Sequence, residues 1–204
     1  KFSTSSRRNV NITENRVEKI QGGTNWNAGA SSLNRVYNNG SFSFTTEENN
    51  TQKAAGLSHI DANPHPNSVD FAFRLEANGS LRIFESGNNR GTFGSYEAGD
   101  VFEISIENDM VYFYRNGELL RVSNNTPELP LVADVSMRSE GATITQAEIR
   151  NLNDGNFTAF VQNAGPSPVY QWKVNGVDTG IDGPTFSETD LVSGDVITCD
   201  LTPD

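Results

Sequence analysis

The chain has 204 residues, 35% of them hydrophobic and 20% charged, with a formal net charge of −11 and a sequence pI of about 4.6. That apolar content is too high for a disordered chain, which cannot bury enough surface to offset its ordering entropy. The largest basic cluster is Arg7-Arg8, which argues against a nucleic-acid backbone or an anionic membrane surface as partner, because both call for clustered Lys and Arg.

Taken in chain order, residues 1–23 read as an N-terminal extension or lead-in strand. Residues 24–150 show almost no helical periodicity. They carry short alternating apolar stretches punctuated by Gly, Asn, Asp and Pro, the pattern of a sandwich or barrel. Phe42 and Phe44 alternate within Ser41–Thr45; Val69, Phe71, Phe73 and Leu75 share one face of the next run, and Leu81 and Ile83 one face of another. Phe102, Ile104 and Ile106 alternate with Glu103, Ser105 and Glu107, which predicts a strand with one wet face. Asn108-Asp109 and Asn116-Gly117 then separate Phe102–Glu107, Met110–Arg115 and Glu118–Ser123. Asn-Gly adopts the positive φ angles of a type I′ turn, so three antiparallel strands are predicted here. Leu131–Met137 and Thr143–Ile149 follow, for roughly eleven or twelve strands in all, enough for two packed sheets.

A second unit, residues 151–204, is predicted to begin at the Asn151–Gly155 turn. Strands are expected at Phe157–Gln162, Val169–Val174, Thr185–Thr189 and Val196–Leu201, a thin core for so short a stretch. Lys173 is its one basic residue against eight acidic ones. The chain stops at Asp204 straight after a strand, so this unit reads as truncated. It starts at Lys1, without Met or signal peptide, as a processed or excised piece of a longer protein would. No apolar run approaches the roughly 20 residues of a membrane span, so no membrane insertion is expected.

Two ordered sets of blocks carry resemblances. Asn25-Trp26-Asn27-Ala28-Gly29-Ala30, Ala55-Gly56-Leu57-Ser58, Val69-Asp70-Phe71-Ala72-Phe73, Ile83-Phe84-Glu85-Ser86-Gly87 and Tyr114-Arg115-Asn116-Gly117-Glu118 follow one another across residues 24–149. This stretch resembles the concanavalin A-like (lectin, laminin-G and SPRY-like) jelly rolls of large bacterial extracellular proteins. Val169-Tyr170-Gln171-Trp172-Lys173-Val174-Asn175-Gly176, Gly183-Pro184-Thr185-Phe186 and Leu191–Cys199 are similar to Ig-like or PKD-like repeats of long surface adhesins and secreted enzymes. The resemblances imply an all-β protein: a concanavalin A-like β-sandwich plus a small, truncated Ig-like β-sandwich. The second departs from the antibody pattern at its disulfide, because Cys199 is the single cysteine. Cys199 is expected to be a buried free thiol, Trp172 a core residue and Trp26 a core anchor near the first strand.

Three sets of residues could carry chemistry. The loop His59–Asp70 gathers both histidines, His59 and His65, with Asp61, Asn63 and Asp70. Read functionally, the histidines contact a ligand and the three oxygen-bearing residues offer a Ca²⁺ site, since calcium takes six to eight oxygens. Read structurally, the loop is stiffened by Pro and capped by its own Asp and Asn. No other cofactor is suggested. On Met110–Arg115, if Val111 and Phe113 face the core, Tyr112 and Tyr114 share the opposite face, where they either bind a ligand or support neighbouring strands. Ser105 stands where a second carboxylate would be needed, which leaves Glu103 and Glu107 four residues apart as solvated surface, and no nucleophile–base set or phosphate loop is present.

The expected function is therefore non-enzymatic: a segment of a secreted or cell-surface adhesin, binding a glycan, a surface polysaccharide or another cell-surface protein, with the Ig-like unit as spacer. The alternative is a non-catalytic carbohydrate-binding region of a secreted polysaccharide-degrading enzyme. Further domains of the same chain are expected partners in either case.

Overall fold

In the computed structural model, residues 2–3, 7–61, 63–151, 155–161, 164–188, 191 and 195–204 are described. The chain divides into two compact units, Lys1–Asn151 and Leu152–Asp204. In the first, alternating side chains place one face of each strand inward. The strands are β1 (Val10–Thr13), β2 (Arg16–Lys19), β3 (Ala28–Val36), β4 (Gly40–Thr45), β5 (Lys53–Ser58), β6 (Phe71–Leu75), β7 (Ser80–Glu85), β8 (Asn88–Ser95), β9 (Phe102–Glu107), β10 (Met110–Arg115), β11 (Glu118–Val122), β12 (Leu131–Met137) and β13 (Thr143–Asn151).

They form two antiparallel sheets. One has seven strands in the order β1-β2-β13-β4-β9-β10-β11, the other six in the order β3-β12-β5-β6-β7-β8. This is a β-sandwich. The turn residues act as their chemistry requires: Asn108 and Asp109 (φ +50° and +62°) and Asn116 and Gly117 (φ +52° and +79°) close the β9–β10 and β10–β11 hairpins. Between the sheets, Phe44 stacks on Phe102 at 5.2 Å, and Phe73 meets Phe102 and the edge of Phe113, both at 5.3 Å. Aromatic pairs at such spacings contribute beyond the area they bury.

Two carboxylates, Glu85 buried and Glu48 half-buried, tie the sheets together. Glu85 ends β7 at 1% exposure; it is 2.9 Å from both Arg90 on β8 and Arg121 on β11, and accepts from the Asn125 side chain. Glu48 accepts from Lys53 on β5, from Thr51 and from both the backbone and hydroxyl of Thr143 on β13.

The second unit holds β14 (Asn156–Thr158), β15 (Val169–Val174), β16 (Val177–Asp178), β17 (Thr185–Ser187) and β18 (Ile197–Thr202), as sheets β14-β17 and β16-β15-β18. Trp172 stacks on Phe186 at 5.6 Å and donates its indole N–H to the Gly183 carbonyl at 2.9 Å. It is a core residue, as expected.

Some expectations need correction. The stretch 1–23 supplies the β1–β2 hairpin of the seven-stranded sheet, with Val10 and Val17 in the core. Trp26 is half-buried and sits outside the sandwich, 4.9 Å from the Arg74 guanidinium. Cys199 is free but only half-buried, because it faces the thin second-unit core from strand β18. The predicted turn at Asn151–Gly155, the ends of the predicted strands at Gln162 and Thr189, and Val192–Gly194 fall wholly or in part outside the described residues.

Candidate functional site

The outer face of the seven-stranded sheet is built from four strands whose side chains fall into two rows. Val111 and Phe113 are fully buried, so Tyr112 and Tyr114 point outward, stacked at 6.3 Å and 22°. Tyr112 lies opposite Ser105, Ser105 opposite Ser41, and Ser41 opposite Arg150. In the parallel row Tyr114 lies opposite Glu103, Glu103 opposite Ser43, and Ser43 opposite Glu148. The middle strands thus carry short serines: Ser41 and Ser105 are 5% and 4% exposed although they face out.

A trough results. Its floor is Ser41, Ser43 and Ser105 with Glu103 rising from β9, one wall is the tyrosine ridge on β10, and the other is the Arg150–Glu148 pair on β13, joined at 2.9 Å. Three strand spacings separate the walls, about 14 Å. Beyond the tyrosines, exposed Leu119 and Met110 extend an apolar rim. The register of β13 against β4 shifts between Thr145 and Glu148, with Gln146 at φ +50°. A bulge of this kind bends a strand and re-aims its side chains. Here it opens a cleft of about 550 Å³ lined by Asn15, Ser43, Thr45, Gln146 and Glu148, within the size range of ligand pockets. Burial, then the charges of Glu107, Tyr112 and Glu103, raises the Tyr114 pKa and keeps its hydroxyl a donor. Ser105 donates to Glu107 at 2.9 Å.

The His59–Asp70 loop lies on the opposite side of the sandwich, against β5 and β12 of the six-stranded sheet. Several of its polar groups serve the loop itself. The His59 backbone N–H donates to Asp70 at 2.7 Å, and the His65 N–H donates to Asn63 Oδ1 at 2.8 Å. The His65 ring nitrogen Nδ1 accepts from Asn67 N–H at the start of a 3-10 turn, Pro66–Ser68. His59 Nδ1 lies 2.9 Å from the Glu128 carbonyl. So His59 and His65 are not brought together with Tyr112 and Tyr114.

Nor are Asp61, Asn63 and Asp70 gathered into one calcium ligand set. Asn63 and Asp70 each spend an oxygen on the backbone, and among the described residues no group of three or more His, Cys, Asp or Glu side chains is placed to hold a metal ion. Asp61 and Asp70 instead approach Asp134 on β12, a residue that sequence analysis did not single out. Asp134 is 2% exposed, accepts from Ser58 at 2.9 Å, and shares a cavity of about 120 Å³ with Asp61, Asn63 and Arg8. Burial, then the charge of Asp61, pushes its pKa up to about 7. The available signal was an Asp in an otherwise apolar run, Leu131–Met137, where a buried outward face should carry no charge.

No family model matches the chain, and no curated protein matches it. Solved structures do. The chain is similar to the SPRY domain of human HERC1 (TM-score 0.59, 15% identity, covering 75% of this chain and 99% of that one). It is also similar to the TRIM65 PSpry domain (0.52, 13%, covering 71% and 86%). A sialidase matches at TM-score 0.50 and 13% identity over 71% of this chain, which spans only 16% of the sialidase. At these identities the likeness establishes the fold: a concanavalin A-like jelly roll, as the sequence blocks implied.

Proposed function

We propose that this chain is a segment of a secreted or cell-surface adhesin, that its first unit holds a glycan in the serine-floored trough, and that its second unit is an Ig-like spacer. The observation that carries the reading is the stacked Tyr112–Tyr114 pair on an open sheet face. Each ring presents an apolar body with a wet hydroxyl, and carboxylates and hydroxyls that can bond sugar hydroxyls stand beside it. The SPRY and sialidase neighbours support a ligand-binding jelly roll in general terms.

The binding is non-catalytic on this reading. Glu103 and Glu107 are four residues apart on one strand, about 13 Å, wider than the carboxylate pairs of glycoside hydrolases. Glu103 and Glu148 face the trough about 10 Å apart, two strand spacings, but Arg150 holds Glu148 as an ion pair. A glycan array probed with and without Ca²⁺ tests the proposal. Binding of a glycan class in both conditions is expected; a blank array in both leaves only the spacer role. Glycan turnover abolished by Glu103→Gln or Glu148→Gln overturns the non-catalytic reading.

A further inference from the structure

A second polar constellation lies on the outer face of the six-stranded sheet, away from the trough. Arg74 on β6 stands directly opposite Arg82 on β7. Like charges facing each other on neighbouring strands destabilise a sheet. Arg138, just past β12, adds a third positive charge to the group. Glu76 is 3.4 Å from Arg74 Nε and 3.7 Å from Arg82 Nη1. Its second oxygen accepts from Gln52, whose own carbonyl accepts from Arg138 at 2.7 Å. Three guanidiniums and one carboxylate leave two positive charges in a chain whose formal net charge is −11.

The arginines are held in place. Arg74 is clamped between Trp26 at 4.9 Å and Phe84 at 4.8 Å. Trp26 is positioned in turn by Lys19, a buried lysine that donates to the Asn25 carbonyl, the Asn27 side chain and the Arg138 carbonyl at 2.7, 2.9 and 2.7 Å. Arg82 Nε is buried without a hydrogen-bond partner, and buried Arg74 Nε has only the 3.4 Å approach of Glu76. Unpaired buried donors carry a desolvation cost that a charged acceptor would relieve. Burial holds the Arg74 pKa below its usual value; Glu76 opposes the shift and the charges of Arg82 and Arg138 add to it. A planar guanidinium fork suits the oxygens of an anion.

We propose that Arg74, Arg82 and Arg138 form an oxyanion site that takes a tetrahedral anionic group, a phosphate or a sulfate ester, on a ligand. The site stands apart from the glycan reading of the trough and does not depend on it. Calorimetric titration of the full chain with sodium sulfate, sodium phosphate and sodium acetate, in a constant chloride background, tests it. Saturable binding of sulfate or phosphate is expected, about ten-fold or more tighter than acetate. Phenyl phosphate and phenyl sulfate, titrated in the same way, distinguish the two esters by which binds tighter. Arg82→Gln, at the more exposed of the two facing arginines and outside the aromatic clamp, weakens binding about ten-fold. Glu76→Gln removes the internal counter-charge and tightens it. Tyr112→Ala leaves it unchanged. The proposal is overturned if the unaltered chain shows no saturable sulfate or phosphate binding, or if Arg82→Gln binds as tightly as the parent.

Discussion

The two outer faces of the sandwich obey the same alternation of side chains and end up as different surfaces. On the seven-stranded sheet the outward residues of β4 and β9 include Ser41, Ser43 and Ser105 beside Glu103, between taller walls, and the face stays open. On the six-stranded sheet the outward residues Gly29, Ala54, Gly56, Ala72 and Ser136 are small and buried, so chain can lie on top of them. The His59–Asp70 loop covers one part, with Val69 packed on Ala72 and Phe84, and Trp26 covers another across Arg74. Small residues therefore have opposite consequences on the two faces. Flanked by Tyr and a salt bridge they make a trough; flanked by long loops they make a second, thin core.

That contrast can be broken at several points, and the largest effect should come from what holds both faces together. Glu85→Ala leaves Arg90 and Arg121 without their buried partner and unties β7 from β11. It should cost about 3–5 kcal/mol in urea unfolding; a loss below about 1 kcal/mol would show that the strut is incidental. On β10, Phe113→Ala should cost a similar amount, about 3–5 kcal/mol, because Phe113 faces the core.

Next in size is the buried carboxyl of the covered face. Burial raises the Asp134 pKa in the fold to about 7 from its ordinary value of 3.8. The native state therefore holds the extra proton between those values, and stability linked to this group is present below pH 3.8 and lost as pH rises through about 7. Asp134→Asn should thus be nearly neutral below pH 3.8 and increasingly stabilising as the pH rises to 8, by up to about 2–4 kcal/mol. Melting curves of both proteins across that range measure it, and a difference that does not grow with pH contradicts the assignment.

Smaller still is the effect expected at the open face. Tyr112→Ala and Tyr114→Ala should change stability by no more than about 1 kcal/mol, since these rings lie outside the core. The smallest effect is that of calcium. With Asn63 and Asp70 already engaged by backbone N–H groups, adding Ca²⁺ or removing it with a chelator should move the melting temperature by less than about 1 °C. A larger, saturable rise would mean that the loop rearranges to bind.

Much of the sandwich was legible in the sequence because its signals are local. The alternation in Phe102–Glu107 and the Asn-Gly turn at 116–117 specify strands and twist without reference to anything distant. β8 was not legible. Its residues, Asn88–Ser95, are polar, contain Gly91 and Gly94, and are mostly exposed; only pairing with β7 makes them a strand. The first half of the candidate site could be read from one strand, because the outward direction of Tyr112 and Tyr114 follows from the inward one of Val111 and Phe113. The serine floor and the Arg150–Glu148 wall could not, since they depend on which strands are neighbours. The facing pair Arg74 and Arg82 was missed for the same reason: register across a sheet, not spacing along the chain, brings them together. Asp134 did carry a local signal, and in the His59–Asp70 loop Asn63 and Asp70 serve the loop's own backbone.

The central claim is that the open face, and not the covered one, is where this domain holds a glycan. The most direct measurement is a titration of a glycan found on the array against the parent chain, the Tyr112→Ala/Tyr114→Ala double variant and Arg82→Gln. The account predicts that the double tyrosine variant loses binding by about ten-fold or more while keeping the parent's melting temperature, and that Arg82→Gln binds an uncharged glycan as the parent does. Undiminished binding by the double tyrosine variant would contradict it.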